Sequence, residues 1–176
     1  SGKTTLLKLL TGLYLPEKGI IVSNGKEVKL SDVQSYRNLF SVIFSDYHLF
    51  KTLFGMTPIP KDRISNFISK FGLSNKTKLV ENRYESVLLS TGQQKRLALV
   101  TVLAEDRPVI VLDEFAADQD PEFRRYFYNE LLPGLKAAGK TVIAVTHDDF
   151  FFSHCDQLIK MDLGKVIEIK KNWNAA

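Results

Sequence analysis

The chain has 176 residues, 44% of them hydrophobic and 25% charged, which suits one globular domain with a core and excludes a disordered segment. No run approaches the ~20 uninterrupted apolar residues of a membrane-spanning helix, and the opening residues have the pattern of neither a signal peptide nor an Arg-rich presequence. The net charge of +4 comes from basic residues interspersed with acids, apart from Lys170 and Lys171, and reads as an ordinary solvated surface; the single cysteine, Cys155, excludes an internal disulfide and a cysteine-built metal site, and suits a reducing compartment.

The chain opens SGKTT, and the TTLLKLL within its first ten residues has helical spacing that stops before Gly12. Ser1, Gly2, Lys3, Thr4 and Thr5 therefore open a helix. GIIVSNGKEVKL holds two short strand-like runs around Asn24-Gly25, a strong hairpin signal. Ser31, followed three residues on by Gln34, predicts a capping box for a helix leading to Phe40. FSVIF (Phe40 to Phe44) reads as a buried strand that runs out into the polar loop SDYH, where His48 is a loop residue. Ile64, Phe67, Ile68 and Phe71 fall at helical spacing, with Gly72 as the stop.

STGQQKRLALVTVLAED predicts a further helix starting at Ser90. PVIVLDE (Pro108 to Glu114) is an apolar run closed by two acids, the form of a central parallel strand whose carboxyl end meets a ligand. Pro121 opens a long helix with Phe123, Phe127, Leu131 and Leu135 on one side and a kink at Pro133. KTVIAVTH predicts another buried strand, ending at His147; Phe150, Phe151 and Phe152 read as core packing and His154 as part of a surface helix. QLIKMDLGKVIEI predicts two strands around a turn at Leu163-Gly164. Helices alternating with apolar strands predict an α/β fold with a mainly parallel sheet.

Phosphate chemistry runs through these elements. A phosphate-binding loop needs Gly, four residues, then Gly-Lys-Ser/Thr: its backbone N–H groups wrap the phosphates, its lysine reaches the β/γ oxygens and its hydroxyl binds Mg²⁺. Ser1, Gly2, Lys3 and Thr4 match the back half, at a helix N-terminus where free N–H groups and the dipole favour an anion. VIVLDE delivers Asp113 to hold Mg²⁺ and Glu114 to polarise an attacking water. LLSTGQQKR sets Ser90, Thr91, Gly92 and Gln93 at a second helix start; by itself such a Ser-Thr-Gly is an N-cap, and paired with SGKTT it is a second anion-binding end. His147 lies on the ligand side of a parallel sheet. No His/Asp/Glu spacing suggests a zinc site.

SGKTT, LSTGQ, VIVLDE and VTH, in that order, resemble the ATP-binding cassette (ABC) ATPase domain, over nearly the whole chain. The resemblance implies a P-loop NTPase: a mainly parallel sheet flanked by helices, a small helical subdomain over about residues 46–90 and a short antiparallel hairpin, together one ABC-type ATPase domain spanning 1–176. On it, Ser1 to Thr5 correspond to the Walker A loop, Leu89 to Gln93 to the signature motif, Asp113 and Glu114 to the Walker B acids, Ala117 to Asp120 to the D-loop and His147 to the switch histidine. The cofactors it implies are ATP and Mg²⁺, with Thr4 and Asp113 as metal ligands and Glu114 and His147 as catalytic residues. Ser90, Thr91, Gly92 and Gln93 would complete the site of a second copy in a homodimer, with Asp120 at the seam. Ser45 stands where the family usually carries a Gln, and is too short to reach Mg²⁺ and water in the same way; Thr91 replaces a Gly and still offers its N–H. The family's domain begins with strands and a P-loop front half that precede SGKTT, so the chain is expected to be a fragment that alone binds ATP poorly and is inactive.

FSDYHLF, LDEFAADQDPEFRRYFYNELLPGLK and THDDFFF are similar to bacterial exporters of cyclic peptides and siderophore precursors, in which a membrane domain is fused ahead of the ATPase. That similarity implies ATP-driven export of such a compound across the bacterial inner membrane, a domain at its cytoplasmic face, a fused or associated transmembrane domain and no nucleic-acid partner. Two other classes stay open. A soluble ABC-type ATPase of DNA maintenance carries a long coiled coil between its halves, whereas the segment from Ser45 to Ser90 holds no sustained heptads. A nucleotide-binding regulatory module has no need of Glu114 or His147.

Overall fold

The computed structural model describes residues 2–56, 58–149, 152 and 155–171; the expectations for Ser1, Phe150, Phe151 and His154 lie outside the described residues. The first helix, α1 (Lys3–Leu10), follows Gly2 at φ 93°, in the left-handed region. A Cβ on Gly2 would also stand 3.0 Å from the Cα of Gly164, so both backbone conformation and space call for glycine. The Asn24-Gly25 hairpin forms as expected: β1 (Val22–Ser23) and β2 (Lys26–Glu27) pair antiparallel around residues at φ 51° and 75°. Two left-handed residues are what a type I′ turn requires.

The capping box at Ser31 does not form. A 3₁₀ turn over Leu30–Asp32 precedes α2 (Val33–Arg37) and moves the helix start to Asp32, so the Ser31 oxygen no longer faces the Gln34 amide; its hydroxyl donates to Asp32 Oδ1 at 3.1 Å. α2 instead closes the rear of α1. Tyr36 donates its hydroxyl to the Leu10 carbonyl at 2.5 Å, and the Arg37 guanidinium donates to the Gly12 carbonyl at 2.9 and 2.7 Å, which satisfies carbonyls that the end of α1 leaves free.

The next elements are β3 (Phe40–Ile43), α3 (Lys61–Lys70), β4 (Leu79–Val80), β5 (Arg83–Tyr84), α4 (Thr91–Glu105) and β6 (Val109–Asp113). The stretch expected as a helical subdomain holds α3 and the β4–β5 hairpin. Ile64, Ile68, Phe71, Leu73 and Tyr84 there join one hydrophobic cluster with Leu97, Leu99 and Val100 of α4 and with Ile110 and Leu112 of β6. Burial pushes the Tyr84 phenol up to about 12, against the hydrogen bond it shares with Thr101.

Pro121 is the first residue of α5 (Pro121–Tyr126), with Asp120 as N-cap. The expected kink at Pro133 takes the form of a π-helical turn, Phe127–Leu131, before α6 (Leu132–Ala137). Proline lacks the N–H and its ring crowds the preceding turn; widening that turn relieves the crowding while Phe127, Tyr128 and Leu131 stay buried. β7 (Thr141–Val145) completes a parallel sheet of order β3-β6-β7. β6 is its middle strand, and Ile110, Val111 and Leu112 are at most 2% exposed, as an unbroken apolar run requires when both faces are covered. β8 (Gln157–Asp162) and β9 (Lys165–Lys171) form a separate antiparallel hairpin around Leu163-Gly164.

Candidate functional site

The three parallel strands end on one side of the sheet, and the first turn of α1 meets them there. Asp113 is the last residue of β6 and Glu114 the next, while Ser45 and His147 each lie two residues beyond β3 and β7. The Thr4 hydroxyl donates to Asp113 Oδ2 at 2.7 Å, and the Ser45 hydroxyl donates to the same oxygen at 3.2 Å. Asp113 is 1% exposed, and its Oδ1 is buried without a hydrogen-bond partner among the described residues. A buried carboxylate oxygen without a donor is costly. A hard cation with oxygen ligands would satisfy it, so Asp113 and Thr4 fit Mg²⁺.

Beside this pair lies a second group. Lys3 Nζ is 3.3 Å from His147 Nε2, and the same nitrogen is 3.3 Å from Glu114 Oε1. Nε2 accepts from the ammonium when it carries no proton and donates to the carboxylate when it does, so its proton decides which contact is a hydrogen bond. Glu114 sits at φ 52°, ψ 35°, a left-handed conformation uncommon for a residue with a Cβ. Its N–H donates to the Val145 carbonyl at 3.0 Å and its carbonyl accepts from Lys95 Nζ at 2.9 Å, so both backbone groups are tied to other elements.

The start of α4 forms a separate group. Ser90 and Gln93 cap the helix reciprocally: the Gln93 amide donates to Ser90 Oγ at 3.4 Å and the Ser90 amide to Gln93 Oε1 at 3.3 Å. A Cβ on Gly92 would lie 2.5 Å from the Asp118 carbonyl oxygen, closer than any side chain can come. The Gln119 side-chain Nε2 donates to the Gly92 carbonyl at 3.3 Å, and Arg96 Nε donates to Gln119 Oε1 at 2.9 Å. Arg96 also pairs with the Asp120 carboxylate and stacks 4.1 Å from the Phe123 ring centre. The Phe123 amide, helped by Arg96, holds the Asp120 carboxyl below the usual carboxylate range. Ser90, Thr91, Gly92, Gln93, Arg96, Asp118 and Asp120 line an open cleft.

Of the residues singled out in the sequence, Lys3, Thr4, Ser45, Asp113, Glu114 and His147 thus come together, and Ser90 to Gln93 gather with Asp120 elsewhere. Gly2 starts α1, Thr5 is exposed on it and Ser1 lies outside the described residues. Sequence reasoning passed over Lys95 and Arg96, and took Asp118 and Gln119 only as part of the D-loop stretch. Lys95 stands four residues before Leu99, on the stripe of α4 that is buried, and a lysine at such a position is a signal in itself.

A family profile described as ABC transporter matches residues 1–117. The chain is 46% identical over 172 residues to the ATP-binding protein SyrD of Pseudomonas syringae pv. syringae, which covers 94% of this chain and 30% of SyrD. It is 33% identical over 181 residues to the thiamine import ATP-binding protein ThiQ of Jannaschia sp., covering 95% of this chain and 76% of ThiQ. Among solved structures, the ATP-binding cassette MJ0796, a dimer in a post-hydrolysis state bound to ADP and Pi, shares the fold with a TM-score of 0.79 at 22% identity, over 97% of this chain and 81% of that one.

The parallel sheet, with the loop-to-helix start at its carboxyl edge, defines a P-loop NTPase. The chain belongs to the ABC transporter family and has the P-loop fold of that family's ATP-hydrolysing domain. It spans under a third, 30%, of the length of SyrD.

Proposed function

We propose that two copies of this chain hydrolyse Mg²⁺-bound ATP at their shared interface, and that hydrolysis powers export of a cyclic peptide or siderophore-type compound across the bacterial inner membrane. The observation that carries the hydrolytic part is the convergence of Lys3, Thr4, Asp113, Glu114 and His147 at the carboxyl ends of the strands. Lys3, with the N–H groups that open α1 from Gly2 to Thr5, neutralises and orients the β- and γ-phosphates. Asp113 and Thr4 hold Mg²⁺, which when bound offsets the negative charge of those phosphates. Ser45 reaches Asp113 directly, so a short hydroxyl serves to orient that carboxylate. Glu114 polarises the attacking water, and His147, next to both Lys3 and Glu114, contacts the γ-phosphate.

The open cleft lined by Ser90, Thr91, Gly92 and Gln93 offers helix-start amides to a partner's nucleotide, those of Ser90 and Gln93 being engaged in the capping box; Asp120 lies at the seam. The dimeric MJ0796 structure supports a homodimer. Among the described residues no helix is long and apolar enough to cross a membrane, so passage is assigned to a fused or associated transmembrane domain. SyrD is more than three times the length matched, which leaves room for such a domain; in this reading the ATPase domain, residues 1–176, works at the cytoplasmic face and no nucleic acid takes part.

Export rests on the resemblance of FSDYHLF, LDEFAADQDPEFRR and THDDFFF to the cyclic peptide and siderophore exporters. The 33% identity to ThiQ, named for thiamine import, favours a second reading, import of a small compound. The test places the protein carrying this chain in inside-out membrane vesicles with ATP and candidate cyclic peptides. Peptide that accumulates inside the vesicles, and no longer does so with Glu114→Gln, supports export. ATP-dependent accumulation only in right-side-out vesicles moves the assignment to import, and turnover stimulated by DNA moves it to DNA maintenance.

A further inference from the structure

We propose that Lys95 is a positioning residue for Glu114, and that it couples the first turn of α4 to the reacting carboxylate of the same copy. This rests on the role proposed above for Glu114. Lys95 is a charged residue inside the protein, with a side chain 5% exposed. An ammonium held away from water needs close partners, and Lys95 has two: Asp118 Oδ2 at 2.6 Å and the Glu114 carbonyl at 2.9 Å. No water-facing role is left to it.

The carbonyl it holds belongs to Glu114 itself. Glu114 is left-handed, and a β-carbon makes that conformation unfavourable unless its surroundings impose it. The Val145 carbonyl fixes the peptide on the N–H side and Lys95 fixes it on the carbonyl side. Releasing the second anchor lets the peptide turn toward a right-handed conformation, which swings the carboxylate away from His147, 3.3 Å from it now.

At its other end Lys95 belongs to a helix turn that cannot move independently of the segment after Glu114. Gly92 is pressed against the Asp118 carbonyl with no room for a β-carbon, Gln119 donates to the Gly92 carbonyl, and Arg96 holds both Gln119 and Asp120. A nucleotide that one copy presents to Ser90, Thr91, Gly92 and Gln93 of the other therefore shifts a unit that includes Lys95. Through it, contact with the partner's nucleotide reaches the chain's own Glu114. Each copy thus carries a path between the two sites of the dimer.

The test uses the protein that carries this chain, in lipid vesicles, with Lys95→Met, Lys95→Gln and Glu114→Gln prepared side by side. ATP turnover, equilibrium binding of a fluorescent ATP analogue and retention of radiolabelled ATP after rapid gel filtration are measured. Lys95→Met, which keeps most of the length and drops the charge, is expected to lower kcat by about tenfold or more with the analogue's Kd within about twofold, and to retain unhydrolysed ATP as Glu114→Gln does. Lys95→Gln carries the same expectation should the methionine variant fail to fold. Turnover unchanged in the Lys95 variants while Glu114→Gln is inactive overturns the proposal, as does a fall in turnover matched by an equal loss of analogue binding, which marks a structural role alone. Full turnover in Glu114→Gln overturns the assignment of Glu114 itself and takes the role of Lys95 with it.

Discussion

Thr4 donates its hydroxyl to Asp113 Oδ2 across 2.7 Å, joining residues 109 positions apart in the chain. That bond occupies one carboxylate oxygen and leaves the other, Oδ1, buried without a donor among the described residues. The acid is thereby oriented before any cation arrives, and Ser45 strengthens the same orientation. Replacing Asp113 by Ala is expected to abolish turnover. Ser45→Ala, which removes only the supporting hydroxyl, is expected to raise the Mg²⁺ concentration for half-maximal turnover by about tenfold. Titrations of turnover with Mg²⁺, and of Mn²⁺ binding by electron paramagnetic resonance, check both.

Glu114→Gln keeps the size of the side chain and its left-handed backbone but cannot take a proton. Loss of a general base is expected to lower kcat by about 10²- to 10⁴-fold while ATP still binds. Single-turnover hydrolysis, read beside binding of an ATP analogue, checks the split. His147→Ala is expected to lower turnover as well, since the ring bridges Lys3 and Glu114.

Gly92→Ala places a methyl group 2.5 Å from a backbone oxygen, which no rotamer can avoid. Forced separation of α4 from the Phe115–Asp118 turn is expected to destabilise the domain by about 1–3 kcal/mol, a loss of several degrees in Tm. It is expected to impair turnover further than the stability loss explains, because the same separation disturbs the segment that follows Glu114. Thermal melts and turnover measured well below Tm distinguish the two effects.

Asp106 ends α4 at φ 58° and binds Arg63 of α3 and Lys140 ahead of β7, at 2.8 and 2.7 Å. The hydrogen bonds from Arg63 and then Lys140 hold its carboxyl far below the usual carboxylate range. A depressed folded-state value means the contribution is present at neutral pH, above the unfolded value of about 4, and is lost as the pH falls through the folded value. Asp106→Asn is therefore expected to lower Tm at neutral pH, with the gap to the parent closing at strongly acid pH. The side chain is 52% exposed, so the gap is expected to be small and to narrow in high salt; melts across pH and salt check this.

Much of the site was legible before any coordinates. VIVLDE announced both a buried strand and the acids at its end, since four apolar residues in succession suit a strand covered on both faces and two carboxylates do not. SGKTT and STGQ each announced a helix start, because hydroxyl and glycine residues favour such ends for local reasons. What escaped notice depends on neighbours distant in the chain. Ser31 and Gln34 have the spacing of a capping box, yet the 3₁₀ turn ahead of α2 moves the cap by one residue. Pro133 signalled a disturbance, but whether a helix bends or widens is decided by the packing of Phe127 and Leu131. Lys95 reads as one more charge in QQKR until the fold shows Asp118 and Glu114 waiting for it.

The grip of α2 on α1 has a mechanical side. α1 is a rod of 8 residues, its front turn bearing Lys3 and Thr4 and its rear carbonyls tied down by Tyr36 and Arg37. A rod pinned at one end moves at the other only by pivoting, so any swing of the lysine toward a nucleotide turns about Leu10 and carries torque into α2. α2 is thus the element that feels such a swing, since Tyr36 and Arg37 are the side chains that hold the end of the rod. Spectroscopic labels on α2 would thus register nucleotide arrival at a distance, as rotation.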